Sequence, residues 1–326
     1  MTQDQDPAVS DTEAVPDGEP ATRRLGGTDV HVTPLCVGTS PLGGMVETYG
    51  YDVDAERAVA TVRRVLDSPT IRFLDTSNEY GSGRSEERIG IALAERGGLP
   101  EGFVLATKAD PAPGSKDFSG ARVLASFEES VARLGLDRVD VFHFHDPERI
   151  GFEDAAGPGG ALEGLRRLKD DGRVTALGVA GWDVDLLRRY VDTGLFDVVL
   201  NHNRYTLLDQ SASPLIDHAL AAGLSFLNAA PYASGILAKP ASDHPRYIYG
   251  VASDAVVEQT ARLRALCEEH GVDLAAVALQ FSTRDPRVTS TLVGVSRPER
   301  VAELERNAAV EVPAALWSAL DGVLER

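Results

Sequence analysis

Ile71-Arg72-Phe73-Leu74-Asp75-Thr76-Ser77-Asn78-Glu79-Tyr80-Gly81-Ser82-Gly83-Arg84-Ser85-Glu86 is the stretch that decides the fold. It begins as an apolar run closing on a carboxylate, passes through a Gly- and Ser-rich loop carrying a tyrosine, and ends as a helix start. Two later runs close in the same way on an ionisable side chain. Phe103-Val104-Leu105-Ala106-Thr107-Lys108 ends on lysine, and Val139-Asp140-Val141-Phe142-His143-Phe144-His145 ends on histidine. Short apolar runs bounded by turn residues read as buried strands. Asp75, Tyr80, Lys108 and His145 therefore fall at or just past the C-terminal ends of three successive strands. A tyrosine, with an ordinary pKa of about 10, is a poor acid at neutral pH. A site that uses one needs a cation beside it, and Lys108 is the candidate.

Outward from this stretch the chain alternates. Apolar runs recur near 34–38, 71–75, 103–108, 139–145, 174–180, 197–203, 224–229 and 289–295. Amphipathic segments lie between them near 54–67, 84–96, 119–135, 158–171, 183–193, 209–222, 255–270 and 273–284, with another at 297–307. The segment 119–135 shows the helical period best, with Val123, Phe127, Val131 and Leu134 on one stripe and Arg122, Glu128, Glu129 and Arg133 off it. Ser119 is its expected N-cap and Gly135 its stop. Strands alternating with helices imply a parallel sheet, because each crossover must return the chain to the same edge. A doubly wound open sheet would carry G-x-G-x-x-G after its first strand. Gly38-Thr39-Ser40-Pro41-Leu42-Gly43-Gly44-Met45 lacks that spacing. The expected fold is α/β, a (β/α)8 TIM barrel, opened by a β-hairpin over Arg23–Val32 that turns at Gly26-Gly27 or Thr28-Asp29. In such a barrel the chemistry sits at the C-terminal face. His143 shares a face with His145 but lies a layer deeper, and is expected to be a hydrogen-bonded core residue.

The bulk composition agrees with an enzyme of this kind. The chain has 326 residues, 43% of them hydrophobic, and a net charge of −18 that argues against a nucleic-acid partner. A third of that charge is local: Asp4, Asp6, Asp11, Glu13, Asp17 and Glu19 lie in a stretch without Lys or Arg. Residues 1–20 are expected to be a disordered acidic tail, and 21–326 a single barrel domain. The start lacks the basic and apolar regions of a signal peptide, and no run of 18 apolar residues occurs, so a cytoplasmic protein with no membrane partner is expected. Cys36 and Cys267 fall on separate elements and suggest no disulfide. No metal site is expected either, since His143 and His145 lack a further ligand set.

The residues around the first stretch also resemble a known family. Leu74-Asp75-Thr76-Ser77-Asn78-Glu79-Tyr80-Gly81, followed by Ser85-Glu86, is similar to the Asp-Thr-Ala-x-x-Tyr-Gly-x-Ser-Glu of the aldo-keto reductases, with a longer gap before the Ser-Glu pair. Ala106-Thr107-Lys108 resembles that family's lysine strand, and Val139-Asp140 through His145-Asp146 its histidine strand. The resemblance spans about residues 23–321. Singly, a strand-end Asp is usually a cap, a loop Tyr usually packing and a strand-end Lys usually solvated; together on adjacent barrel strands they point to chemistry. The resemblance implies that Tyr80 is the general acid/base and that Lys108 lowers its pKa. It further implies that Asp75 holds Lys108, and that His145 orients the carbonyl and shares the proton transfer. A nicotinamide cofactor would carry the hydride.

The same resemblance suggests where that cofactor binds. Gly178-Val179-Ala180-Gly181-Trp182 replaces the family's Ser-Asn pair, so backbone groups at Ala180 and Gly181, or Asn201 or Asn203, would serve the carboxamide. Gly38 and Thr39 after the first strand, and Pro231, Tyr232 and Ser234 after the seventh, are further candidates. The phosphate loop would be Gly294, Val295, Ser296 and Arg297, leading into a helix that carries Arg300 and Glu303. Gly294 and Leu304 stand where NADPH enzymes of the family carry Lys and Asn, which inclines the choice between NAD and NADP towards NAD; Arg297 is a possible substitute clamp.

A narrower resemblance lies in Asn203-Arg204-Tyr205-Thr206-Leu207-Leu208-Asp209-Gln210 and in Ala230-Pro231-Tyr232-Ala233-Ser234-Gly235-Ile236-Leu237-Ala238. These are similar to the aldose 1-dehydrogenase branch, which includes L-fucose, threo-aldose and galactose dehydrogenases and pyridoxal 4-dehydrogenase. His145-Asp146-Pro147-Glu148, in place of His-Trp-Pro, points the same way. The branch implies oxidation of a cyclic hemiacetal to a lactone, with a small sugar or aldehyde as substrate. Tyr205 and Tyr232 are placed equally between rim packing and substrate contact. The alternatives are a pyridoxal dehydrogenase, a general NADPH aldehyde reductase, or a non-catalytic nucleotide-sensing subunit, the last disfavoured by the intact set of four.

Overall fold

The computed structural model describes residues 20–240, 245–248 and 250–324. Eight parallel strands close into a barrel: β1 (Leu35–Gly38), β2 (Phe73–Asp75), β3 (Val104–Ala109), β4 (Val139–His145), β5 (Val174–Gly181), β6 (Val198–His202), β7 (Ser225–Ala229) and β8 (Ser290–Gly294). Each pairs with its successor in sequence and β8 pairs with β1, so no edge is left open. The expected tail over 1–20 falls, but for its last residue, outside the described part. No helix of the described residues is long and apolar enough to cross a membrane.

The helices form where the apolar period placed them. In Gly120–Leu134 the stripe Val123, Phe127, Val131 and Leu134 is buried, the Ser119 side chain accepts from the Arg122 N–H, and Gly135 ends the helix at φ 70°. Arg122 departs from expectation. It sits off the stripe yet is buried, because its guanidinium donates twice to Glu129, at 2.7 Å each, and once to the Asp110 carbonyl at 2.9 Å. The expected helix over 158–171 begins only at Ala161, after a turn through Gly157–Gly160, and the one over 209–222 begins at Ser213. A C-terminal helix, Ala314–Leu324, and a small ribbon pairing Arg246–Tyr247 with Gly250–Val251 were not anticipated.

The opening hairpin pairs Arg23–Arg24 with His31–Val32. It turns through both candidate dipeptides, with the Leu25 N–H on the Val30 carbonyl at 2.8 Å. Leu25, Val30 and Val32 are buried against Phe73, Val104, Val141 and Val198, so the hairpin plugs the N-terminal end of the barrel. Burying each such side chain favours the fold by about 1.5–3 kcal/mol.

Inside the barrel the strand period of two sets what lies at each depth. Cys36, Phe73, Val104, Ala106, Val141, Ala176, Val198, Leu200, Leu227 and Leu292 form one apolar cluster. His143 lies among these layers and is fully buried, as expected of a core residue. It is not hydrogen-bonded, however. Neither ring nitrogen has a partner among the described residues, and a Cβ on Gly178 would fall 2.0 Å from its Nδ1. Glycine on β5 makes room for the ring but offers it no side-chain acceptor. Burial, and then the Lys108 charge, hold His143 well below the ordinary histidine pKa, so it is neutral. Both cysteines are buried and free.

Candidate active site

Continuing the alternation by one step past the apolar core gives the floor of a cleft. Its inward positions are Gly38, Asp75, Lys108, His145, Ala180, His202, Ala229 and Gly294, one from each strand, and all eight line a cavity of about 1350 Å³. Four are ionisable and four are Gly or Ala. Three of the ionisable groups come from β2, β3 and β4. The small residues on β1, β7 and β8 leave the adjoining part of the floor low and open. One side of the cleft is thus chemical and the other can seat a flat group against backbone.

Tyr80 reaches this floor from the loop after β2, and the rest of the opening sequence stretch fastens that loop. Ser85 Oγ lies within bonding distance of the Thr39 carbonyl (3.0 Å), and Glu86, wholly buried, accepts from Thr107 Oγ1 (2.6 Å) and Arg133 (3.0 Å). Asn78 donates to the Ser126 carbonyl at 3.1 Å. Gly81 has φ 63°, and a Cβ there would meet the Gly43 carbonyl oxygen at 2.2 Å, so backbone packs on backbone directly behind the tyrosine.

The structure brings the four expected residues together. Lys108 Nζ donates to Asp75 Oδ1 at 2.5 Å, to the Thr76 carbonyl at 2.6 Å and to Tyr80 OH at 3.3 Å. The Tyr80 ring meets the His145 ring edge-on at 5.8 Å. Burial pushes the Asp75 carboxyl above its ordinary pKa despite the lysine. The expectation for the tyrosine is corrected here. Burial, followed by the Asp75 carboxylate, pushes the Tyr80 phenol well above its ordinary value rather than below it. The lysine charge is shared with Asp75 at shorter range, so little of it remains for the phenol.

His145 has a partner that the sequence reading missed. Its Nδ1 lies 2.7 Å from Oδ1 of Asp110, two residues past Lys108. Burial alone would lower the imidazole pKa, but Asp110 and then Asp146 raise it to about 9. Asp110 is disfavoured as an anion by burial, yet His145, Ser77 and the Glu79 N–H together hold it below the ordinary carboxylate value. Glu79, Asp110 and His145 bring ligand-type atoms within 4.8 Å of one another, but Glu79 is bonded to Arg149 at 2.6 Å and the other two to each other. His202 was also missed; the period Val198, Leu200, His202 would have found it. Burial depresses it to about 4, and its Nδ1 lies 2.9 Å from Asn203 Nδ2. Asp146, Asn203 and Ala230, each just past a strand end, have φ of 44°, 64° and 61°, backbone strain gathered at the cleft rim.

The candidates on the open side divide. Gly38, Ala180, Gly181, Pro231, Tyr232 and Ser234 line the cleft, as do Gly294, Val295, Ser296, Arg297, Arg300 and Glu303. Thr39 and Asn201 do not: Thr39 Oγ1 donates to the Asp75 carbonyl (2.9 Å), and Asn201 Nδ2 to the Gly181 carbonyl (3.1 Å). Tyr232 lines the cleft, whereas Tyr205 is buried against Asp285 and Arg287 and is packing. Arg297 and Arg300 are not simply solvated, for both pair with Glu303, at 3.5 and 2.5 Å. Glu148 accepts from the N–H groups of Trp182 (2.7 Å) and Asp183 (2.8 Å), and a Cβ on Gly181 would come within 2.5 Å of its Oε1. That carboxylate pins the loop after β5.

The sequence pattern of the aldo/keto reductase family matches residues 34–325. D-threo-aldose 1-dehydrogenase from a Pseudomonas species is 35% identical, over 77% of this chain and 83% of its own length. L-galactose dehydrogenase from Arabidopsis thaliana is 32% identical over 86% of each chain. Pyridoxal 4-dehydrogenase from Microbacterium luteolum is 30% identical over 91% of this chain and 96% of its own. Among solved structures, an aldo-keto reductase from Bacillus halodurans in its holo form superposes with a TM-score of 0.75 at 22% identity, covering 92% of this chain and 95% of that one.

Proposed function

Because the chain belongs to the aldo/keto reductase family and is an NAD(P)-dependent oxidoreductase, we propose that it oxidises the cyclic hemiacetal of a small aldose to its lactone. The observation that carries this proposal is the barrel floor. A tyrosine held between two ion pairs, Lys108–Asp75 and His145–Asp110, faces a bed of Gly and Ala. Asp146, His202, Asn203 and Glu79 line the cleft beside the tyrosine, which suits a ligand rich in hydroxyls. Two relatives named for sugar oxidation, at 35% and 32% identity, support the same substrate class.

A bound nicotinamide dinucleotide would supply the hydride acceptor. The residues present fit such a group. Gly38, Ala180, Ala229 and Gly294 leave the floor open, and Ser296 and Arg297 lead into the helix Pro298–Ala309, whose first N–H groups favour a phosphate. The Asn203 amide oxygen is buried without a partner among the described residues and could accept from a carboxamide. Tyr80 would take the proton of the reacting hydroxyl. It must first be a phenolate, which burial and Asp75 disfavour, so oxidation is expected to quicken as pH rises.

Glu303 inclines the cofactor choice to NAD. It already engages both Arg297 and Arg300, so a 2′-phosphate of about two negative charges would have to displace a carboxylate and remain beside it. A ribose 2′-hydroxyl could instead donate to Glu303.

The test is a panel of aldoses and pyridoxal, each with NAD+ and NADP+, followed at the absorbance band of the reduced nicotinamide. An aldose with NAD+ is expected to give the highest kcat/KM. Turnover of pyridoxal alone would move the substrate class to the pyridine aldehydes. A silent panel would overturn both substrate readings.

A further inference from the structure

We propose that Asp110 and Ser77 form a buried tether that fixes His145 with Nδ1 turned inward and Nε2 presented to the cleft, so that this imidazole gives and takes its proton at Nε2 alone. The inference concerns a positioning residue and rests on the catalytic reading of Tyr80 and His145 given above.

The geometry carries it. Asp110 follows β3 directly and is buried, so its carboxylate must find every partner within the protein. Oδ1 lies 2.7 Å from His145 Nδ1. Oδ2 accepts from Ser77 Oγ and, at 3.1 Å, from the Glu79 N–H. Ser77 Oγ is itself 3.3 Å from Nδ1, so it braces both members of the pair. The Asp110 backbone is clamped as well: its N–H donates to Ser126 Oγ at 3.1 Å, and its carbonyl accepts from Arg122, the buried arginine of Gly120–Leu134. Two of these anchors, Ser77 and Glu79, belong to the loop that delivers Tyr80. One tether therefore holds both proton-handling side chains in mutual register.

A carboxylate at Nδ1 settles the tautomer. The Nδ1 proton faces Asp110, and the neutral imidazole then has a bare Nε2, while the charged form has an Nε2–H donor. Every group that faces this ring bears on when it changes. Asp110 and Asp146 favour the charged form, with Asp146 Oδ1 3.7 Å from Nε2. Lys108, and His202 when charged, oppose it. Asp75 is the counter-ion of Lys108, neutral His143 lies a layer below, and the Tyr80 ring closes the open side. The balance keeps His145 an Nε2–H donor at neutral pH and makes it an acceptor only in alkaline solution, near pH 9. Without Asp110 the ring would lose its largest favourable partner, and burial would leave it neutral at pH 7.

The experiment reads the imidazole directly by NMR of ring 13Cε1 and 15N nuclei. The His145 signal is assigned by its loss in His145→Gln. In the wild type the midpoint is expected well above 6.5, with a strongly hydrogen-bonded Nδ1–H. In Asp110→Asn it is expected to fall by about two units or more, and kcat at neutral pH to fall on the order of 10²-fold, with the dinucleotide Kd unchanged. Ser77→Ala, which keeps the carboxylate, should lower the midpoint by less and serves if Asp110→Asn does not fold. A wild-type midpoint at or below 6.5 would overturn the tether, as would an unmoved midpoint in Asp110→Asn or, if that variant does not fold, in Ser77→Ala. The titration needs neither substrate nor turnover, so an error in the proposed function would show in the substrate panel and leave this result standing.

Discussion

Replacing Lys108 by methionine tests the centre of the site. The substitution keeps the length of the side chain and removes its charge. Lys108 and Asp75 are 1% and 3% exposed and 2.5 Å apart, and Asp75 Oδ2 has no partner among the described residues. Without the ammonium, Asp75 Oδ1 loses its lysine bond and the Thr76 carbonyl loses a donor. Removing one member of a buried pair costs about 3–5 kcal/mol, which at roughly 2 °C per kcal/mol for a chain of this size is about 6–10 °C in Tm. The loss should depend on pH with a definite sign. The Asp75 pKa is already raised in the folded state and rises further without lysine. The folded variant then binds a proton that the unfolded chain, with a carboxylate pKa of about 3.9, releases. Stability of the variant relative to wild type is therefore expected to worsen as pH rises, by about 1.4 kcal/mol per unit in the window between the Asp75 pKa of the folded wild type and that of the folded variant. Urea denaturation at several pH values measures it, and Asp75→Asn added to Lys108→Met should recover much of the loss. A cost below about 1 kcal/mol at pH 8, the level of an exposed pair, would refute the account, as would a cost independent of pH.

Tyr80→Phe should lower kcat by roughly 10²–10⁴-fold with dinucleotide binding nearly intact; steady-state rates and ligand titration check it, and a variant retaining more than about a tenth of kcat would remove Tyr80 from the proton step. Gly178→Ala would place a Cβ 2.0 Å from His143 Nδ1 and should cost about 1–3 kcal/mol by overpacking, read as a lower denaturation midpoint. Glu303→Gln releases Arg300 and leaves Arg297 only its 3.7 Å pair with Glu299, and should improve kcat/KM for NADP+ relative to NAD+, while Arg297→Ala should raise KM for NADP+ more than for NAD+. A wild-type preference of tenfold or more for NADP+, about 1.4 kcal/mol, would show that the arginines are available to a phosphate despite Glu303.

The barrel was legible because its strands are short apolar runs at regular spacing, and because the inward period of two carries each run to one decisive last residue. Asp75, Lys108 and His145 are such residues, and His202 would have been read from the same rule. Asp110 was not legible. It lies past its strand, where alternation no longer says which way a side chain points, and only folding brings it 2.7 Å from a residue 35 positions away. Asn201 shows the converse: it has suitable chemistry, but its strand face turns it away from the cleft towards the Gly181 carbonyl. The Tyr80 pKa could not be signed from sequence, because Lys108 was expected both to pair with Asp75 and to lie beside the phenol, and only the relative distances say which of the two takes most of its charge. Distances of 2.5 Å to Asp75 and 3.3 Å to the phenol decide that question.

That decision bears on how the site divides its labour. Each cation near Tyr80 has its own buried carboxylate, Asp75 for Lys108 and Asp110 for His145. The phenol thus stands between two nearly neutral pairs and keeps its proton. Such a site is set to donate. A protonated tyrosine and a charged imidazole can together deliver a proton to a carbonyl oxygen, which is the reductive direction. Oxidation asks the same groups to give up charge before they can accept. It therefore needs either alkaline solution or added positive charge within the cleft, and an oxidised nicotinamide ring would bring such charge. The two directions should accordingly differ in pH dependence, reduction falling towards alkaline pH as His145 deprotonates near pH 9 and oxidation rising across the same range. Profiles of equal slope and sign in the two directions would mean that the proton held by these pairs is not the one that moves.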